Sequence, residues 1–242
     1  MSTITMQTTE LDPILSQAFG NPEKNGLKLI IGNKNYSSWS MRPWVAMTAF
    51  NIPFQEVRIV LDQADTSTRI AQYSAAERVP VLVAGETTVW DSLAICEYLA
   101  EQFPEKNLWP QDVAARAMAR SICAEMHSGF GGMRAAMWMN IRADFPGKGH
   151  TMAAQADIGR ICEIWENCLT TAGAHGFLFG DFSIADAYYA PVVMRFRTYA
   201  VSLAPALQAY VDRVASYPAV AQWIDGALAE PERNPKYDFY PD

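Results

Sequence analysis

The stretch Val79-Pro80-Val81-Leu82-Val83-Ala84-Gly85-Glu86-Thr87-Thr88-Val89-Trp90-Asp91-Ser92-Leu93-Ala94-Ile95 decides how the first half of this chain folds. A proline is tolerated at the first residue of a strand or on a sheet edge, where its missing N–H is not needed, so Pro80 opens the apolar run 81–84. Gly85-Glu86 supplies a two-residue hairpin turn between 81–84 and a second strand over 87–90. Asp91 and Ser92 are both good N-cap residues, and behind them Leu93, Cys96, Leu99, Ala100 and Phe103 share one helical face. The second strand therefore runs straight into a helix N-terminus. Such an end presents unpaired N–H groups and roughly half a positive charge, which suits a carboxylate. The residue before Pro80 offers backbone groups to the backbone of an extended ligand.

Upstream lies the apolar strand Leu27-Lys28-Leu29-Ile30-Ile31-Gly32, followed by Tyr36-Ser37-Ser38-Trp39-Ser40-Met41-Arg42-Pro43-Trp44. Strands are expected over 27–31, 54–60, 81–84 and 87–90, and helices over 41–50, 66–74 and 92–102, giving a βαβ then ββα order. Pro104, Asn107 and Pro110 interrupt the periodicity and mark a linker. Beyond it the pattern is helical. A long helix is expected over 113–144, weakened in its middle by Gly129, Gly131 and Gly132 at about 1 kcal/mol each relative to alanine, which either kink it or admit a close neighbour. Further helices are expected over 151–172, 183–199, 205–217 and 219–229. Ser183 caps the third of these helical segments and Asp186 completes a capping box, with Asp in place of the usual Glu or Gln. The division that follows is an extension over 1–26, a first domain over 27–103, a linker over 104–111, a helical domain over 112–230 and an aromatic tail over 231–242.

Composition sets limits. Of the 242 residues 50% are hydrophobic and 19% charged, ordinary for a globular protein, and the net charge of −7 argues against nucleic acid or an anionic membrane as a partner. No stretch approaches the roughly 18 apolar residues of a membrane span, and residues 1–26 lack the basic start and apolar centre of a signal peptide. Cys96, Cys123, Cys162 and Cys168 form no C-x-x-C pair and read as reduced thiols. His127, His150 and His175 are too scattered for a metal site, so none is expected.

The two N-terminal motifs, with Gly180-Asp181-Phe182-Ser183-Ile184-Ala185-Asp186 downstream, resemble the cytosolic glutathione S-transferase family, of the serine-type, tau- or zeta-like kind, through most of residues 27–230. The resemblance implies an α/β thioredoxin-like domain followed by an all-α domain. It implies that Val79 and Pro80 pair with the cysteinyl backbone of glutathione, that Asp91 and Ser92 hold its γ-glutamyl end, and that Arg78 lies near its glycine carboxylate. It further implies a cytoplasmic homodimer in which glutathione is the co-substrate. Ser183 and Asp186 are then structural capping residues.

Chemistry turns on residues 37–40. A redox member of the family would carry a cysteine here, and without one no mixed disulfide forms, so thiol–disulfide exchange is disfavoured. A serine hydroxyl instead donates to the thiolate of bound glutathione and favours the charged sulfur. Ser37, five residues before Arg42, matches the catalytic serine of tau and zeta enzymes; Ser38 is its competitor, and Ser40 is expected to cap the helix. Trp39 stands where zeta enzymes have a cysteine, which argues against a maleylacetoacetate isomerase and places an aromatic ring at the mouth of the site. Phe130, Met133 and Met137, with Arg134 and Trp138 on the adjoining face, are expected to line the pocket for a small apolar electrophile. The readings are therefore a detoxifying transferase, a glutathione-dependent isomerase, dehalogenase or peroxidase, or a non-catalytic interaction module of the same fold.

Overall fold

The computed structural model describes residues 26–172, 176–238 and 240. Apart from Gly26, the expected extension over 1–26 lies outside the described residues, as do His175 and Phe239. Strand β1 (Leu27–Ile31) leads through a tight turn into helix α1 (Ser38–Ala49), and β2 (Phe54–Arg58) returns parallel to β1. After the short α2 (Thr66–Ala71), β3 (Val81–Ala84) and β4 (Thr87–Trp90) form the expected hairpin, and α3 (Ser92–Gln102) follows at once. The sheet order is β2-β1-β3-β4, with β3 antiparallel to β1. Gly85 takes φ +61°, the left-handed conformation that the hairpin turn demands of its first residue. The Val79–Pro80 bond is cis.

A 3₁₀ turn (Pro104–Lys106) leads to the helical half: α4 (Val113–Ser128), α5 (Gly131–Ala136), α6 (Met152–Ala172), α7 (Ile184–Thr198), α8 (Pro205–Ser216) and α9 (Pro218–Ala229). The small mixed sheet with its helices, followed by an all-helical region, is the expected architecture. The single helix over 113–144 is not formed. It ends at Ser128, Phe130 turns the chain at φ 60°, a six-residue helix follows, and the remainder is irregular. Both effects expected of the glycines operate. The chain breaks at Gly129, and a Cβ on Gly132 would lie 2.6 Å from the backbone of Ala153, so α5 packs on the start of α6 as only glycine allows. Other boundaries are shorter than expected: β2 stops at Arg58 and α2 at Ala71.

Helix α7 is buried along nearly its whole length, and α1 packs across it, joining the sheet half to the helical half. The capping box forms: Ser183 Oγ accepts from Ala185 N at 3.2 Å, while Asp186 accepts from the backbone N–H groups of Ser183 and Leu178 at 3.0 Å and from the Tyr210 hydroxyl at 3.0 Å. Burial nevertheless pushes the Asp186 carboxyl up to about 6, because these hydrogen bonds, with a fourth from the Ser183 hydroxyl at 3.1 Å, do not fully replace water around a fully enclosed charge. The segment after α9 folds back on the molecule. Glu230 accepts from the backbone N–H groups of Lys34 and Asn35, and Arg58 pairs with Glu232 at 2.8 Å. Tyr237 stacks on Tyr36, and the Tyr240 hydroxyl donates to Ala136 O.

The Asp186 shift has a definite sign. A folded-state pKa above the unfolded one means that the native state holds the proton more tightly, so the favourable contribution is complete below about pH 4 and is lost as pH rises through about 6. The stability of the wild type relative to Asp186→Asn, from urea melts, should therefore fall by on the order of 2 kcal/mol between these limits. A flat difference would contradict it. Ser183→Ala should cost toward the upper end of the roughly 0.5–2 kcal/mol typical of a lost N-cap.

Candidate active site

The site begins at the end of β1. Ser37, not Ser40, is the N-cap of α1: its Oγ accepts from Ser40 N at 3.4 Å, so the helix starts at Ser38 rather than at 41. Ser40 is fully buried and its Oγ accepts from Gly32 N at 3.1 Å and from the Ser37 hydroxyl at 2.8 Å. One row of groups, Gly32 N–H, Ser40 hydroxyl, Ser37 hydroxyl, thus runs from the strand end to the helix N-terminus. Ser38 is placed differently, with its Oγ accepting from Arg195 Nη2 at 3.3 Å. Ser37 and Ser38 both line a cavity of about 690 Å³ between the sheet half and the helical half.

A second cavity of about 370 Å³ shares Trp39, Arg78 and Val79 with the first and is completed by Pro80, Asp91, Ser92 and His127, among others. All five residues expected to bind glutathione therefore lie around one groove. Asp91 sits at φ 75°, a strained conformation for a residue with a side chain, held by its own cap bond, Oδ1 accepting from Leu93 N at 2.8 Å. Its other oxygen lies 3.4 Å from His127 Nε2. His127 Nδ1 is 2.9 Å from the Tyr188 hydroxyl, which is 3.1 Å from Ser92 Oγ. With His127 neutral, the directions follow from the carboxylate end: Nε2–H donates to Asp91, so Nδ1 accepts from Tyr188, and Tyr188 accepts from Ser92. The first N–H groups of α3, beside this chain, are fitted to a carboxylate.

Arg42, whose place in the sequence served only as a spacing marker, is the site's buried charge. It is fully enclosed, lies 4.3 Å from the ring centroids of both Trp39 and Tyr188, and donates from Nε to Tyr188 O at 3.1 Å. Both Nη atoms lack hydrogen-bond partners, and burial lowers its pKa. An uncompensated guanidinium is costly, and the two aromatic faces return only part of that cost, so its field favours an anion in the neighbouring groove.

Of the residues expected to line the electrophile pocket, Trp39, Arg134 and Trp138 border the cavity beside Ser37. Phe130, Met133 and Met137 are instead buried in the main core, as is Met126 ahead of the break at Gly129. Arg195, Met139, Tyr36 and Tyr237 take their place. Tyr188 and Arg195, both on α7, were missed as parts of the groove's architecture, since they form no local motif with the serines of α1 or with His127 of α4. The described cysteines are all free, and burial pushes the Cys96 and Cys123 thiols up, which leaves the groove without a protein thiolate. Among the described residues, no cluster of His, Cys, Asp and Glu could hold a metal ion, and no helix is long and apolar enough to cross a membrane.

Residues 36–102 match the glutathione S-transferase N-terminal domain and residues 114–226 the glutathione S-transferase C-terminal domain. The chain is 28% identical to a probable maleylacetoacetate isomerase 2 of Drosophila melanogaster over 76% of its own length and 82% of that protein. A probable maleylacetoacetate isomerase of Caenorhabditis elegans is 32% identical over 38% of the chain, a match that spans less than half of the worm protein, 44%. Among solved structures, a glutathione transferase homologue from Burkholderia with bound glutathione superposes with a TM-score of 0.65 at 23% identity, covering 85% of this chain and 99% of that one. A tau-class glutathione S-transferase from mango gives 0.64 at 17% identity, covering 84% and 96%. These two likenesses are of fold.

Tyr188→Phe tests the polar chain in isolation, because it keeps the ring over Arg42 and removes only the hydroxyl. Leaving Ser92 and His127 without that partner should cost about 1–3 kcal/mol in urea denaturation. A loss below about 0.5 kcal/mol, within the range of ordinary surface substitutions, would mean that the chain does not hold the two halves together.

Proposed function

Since the chain belongs to the glutathione S-transferase family, we propose that it adds the thiolate of glutathione to a small electrophile, with Ser37 as the hydroxyl that stabilises the sulfur. The observation that carries this reading is the row Gly32 N–H, Ser40, Ser37 ending at the cavity. In the free protein Ser37 donates to Ser40. One rotation of each hydroxyl reverses the row, so that Ser40 donates to Ser37 and Ser37 donates to the sulfur, each bond polarising the next. Val79 and Pro80 would pair with the cysteinyl backbone, Asp91 and Ser92 would hold the γ-glutamyl end, and the exposed Arg78, which borders both cavities, would meet the glycine carboxylate. Glutathione would act as a co-substrate within a cytoplasmic homodimer whose domains follow the division at the 104–111 linker.

The magnitudes agree. Lowering a thiol pKa from about 8.5 by two units requires about 2.7 kcal/mol of preference for the thiolate. A hydrogen bond to a charged group supplies about 1.5–3 kcal/mol, and a helix N-terminus adds about 0.3–1 kcal/mol. A second reading, glutathione-dependent isomerisation, is favoured by the likeness to the probable maleylacetoacetate isomerases of fruit fly and worm. It uses the same thiolate, adding and then expelling it from one carbon, and the Trp39 that replaces the zeta-type cysteine speaks against it.

Ser37→Ala should retain the fold and most glutathione affinity, while the bound thiol, followed by thiolate absorbance, titrates about one to two units higher. Turnover near neutral pH then falls roughly ten- to a hundredfold and partly recovers at higher pH, where the thiolate forms unaided. Ser40→Ala should shift the same titration by a smaller amount, and Ser38→Ala should leave it nearly in place. If Ser38→Ala gives the larger shift, the hydroxyl lies one residue later; if none of the three moves it, the helix N–H groups activate the sulfur.

A further inference from the structure

The cavity beside Ser37, though lined mostly by apolar groups, also carries charge in its wall. Three guanidinium groups border it together with the serine pair and Trp39: those of Arg134 and Arg195, and that of the exposed Arg78. Arg195 is 4% exposed, donating to Met137 O at 2.8 Å, Pro191 O at 3.1 Å and Ser38 Oγ at 3.3 Å. Arg134 caps the end of α4 through Gly129 O and Met126 O, and lies 4.7 Å from the Trp39 ring centroid. These bonds fix both groups in place without using all five N–H donors that each carries. Among the described residues, none of Arg42, Arg134 and Arg195 forms an ion pair with a carboxylate. Burial and the charge of neighbouring guanidinium groups push Arg195 down to about 9 and Arg134 to about 10; Arg195 is buried and Arg134 half-buried. The two carboxylates that also border the cavity, Asp62 and Glu77, are exposed at its mouth, and Asp62 is tied to Asn234 and Lys236.

A wall of fixed, unpaired guanidinium groups with a carboxylate-bearing rim is built to receive a negative charge at its deep end. We propose that the second substrate is an electrophile carrying its own carboxylate, bound by Arg195 and Arg134 with its reactive carbon turned toward the sulfur beside Ser37. This rests on the glutathione reading above and names the class of acceptor for that site. Ser38, held by Arg195, then belongs to the acceptor end of the groove rather than to the sulfur. With an aryl chloride as acceptor, the thiolate sulfur forms the new S–C bond, chloride leaves with the bonding pair, and the thiol proton passes to solvent.

The test compares 4-chloro-3-nitrobenzoate with the neutral, near-isosteric 4-chloro-3-nitrobenzamide, each kcat/KM divided by the uncatalysed rate constant so that intrinsic reactivity cancels. The wild type should favour the benzoate by about tenfold or more, the scale of one charge-assisted hydrogen bond. In Arg195→Met and Arg134→Met that ratio should fall toward one. Because Arg195 also satisfies two buried carbonyls, its variant can fail to fold, and a wild-type measurement stands beside it. 3-Nitrobenzoate should inhibit turnover of the benzamide competitively, about tenfold more tightly than 3-nitrobenzamide does. Equal normalised rates with equal inhibition would overturn the proposal. So would a fall in both rates together with a raised thiol pKa, which would assign Arg195 to the sulfur. Calorimetric titration with glutathione separates the two levels: wild type that binds glutathione but shows no preference defeats only the acceptor class, whereas wild type that does not bind it defeats the glutathione reading as well.

Discussion

Arg42 is the constraint on which the groove depends. It rises from α1, donates to the backbone of α7 and lies against two aromatic rings, one from each half of the molecule. A guanidinium cannot shed its proton inside a protein, so it must be surrounded by polarisable faces and carbonyls or be left at high cost. Here Trp39 and Tyr188 are those faces. Their positions follow from the charge they cover, and the groove follows from their positions: Trp39 separates and joins the two cavities, and the Tyr188 hydroxyl links Ser92 to His127.

The electrostatics of the groove differ from those of the whole. A chain with a net charge of −7 gathers two buried arginines, Arg42 and Arg195, and the half-buried Arg134 at the seam of its two halves, and no carboxylate forms an ion pair with them among the described residues. Enclosure matters more than number. An exposed charge is screened within about 8–10 Å at ordinary ionic strength, whereas a buried one acts through protein and keeps its field. The acidic exterior and the cationic groove are therefore compatible, and an anionic ligand is held locally.

The C-terminal segment shows how a few polar contacts extend this design. Glu230 occupies the backbone N–H groups of Lys34 and Asn35, and Arg142 binds the Tyr36 hydroxyl and the carbonyls of Glu230 and Glu232. The turn that precedes the serines is thus held from behind, and Tyr237, stacked on Tyr36 and packed against Trp138, becomes part of the cavity wall. A loop fixed at both ends keeps the Ser37 hydroxyl where the helix N-terminus can use it.

Local chemistry made much of this legible in advance. Pro80 at a strand start, Gly85 in a hairpin turn, Asp91-Ser92 at a helix start and Ser183 with Asp186 in a capping box all act within a few residues of themselves, so their spacing was enough to place them. The same locality explains the errors. Ser40 and Ser37 are equally good caps by type, and only the turn at Asn33–Tyr36, closed by the bond from Ser37 N to Asn33 O, decides that Ser37 caps and Ser40 anchors the strand end. The methionine stripe after Met126 has helical spacing, but the break at Gly129 and the close contact of Gly132 with Ala153 belong to helix packing, and that stripe lies in the core. Arg195 lies in a helix whose residues are nearly all buried, and nothing in its neighbourhood along the chain marks it as a cavity residue. Sequence by itself determined most of the elements and their order, because those rest on short-range hydrogen bonding. Which side chains meet across the seam, and with what charge, was decided only by tertiary structure, because burial and the field of a buried ion depend on residues more than a hundred positions apart.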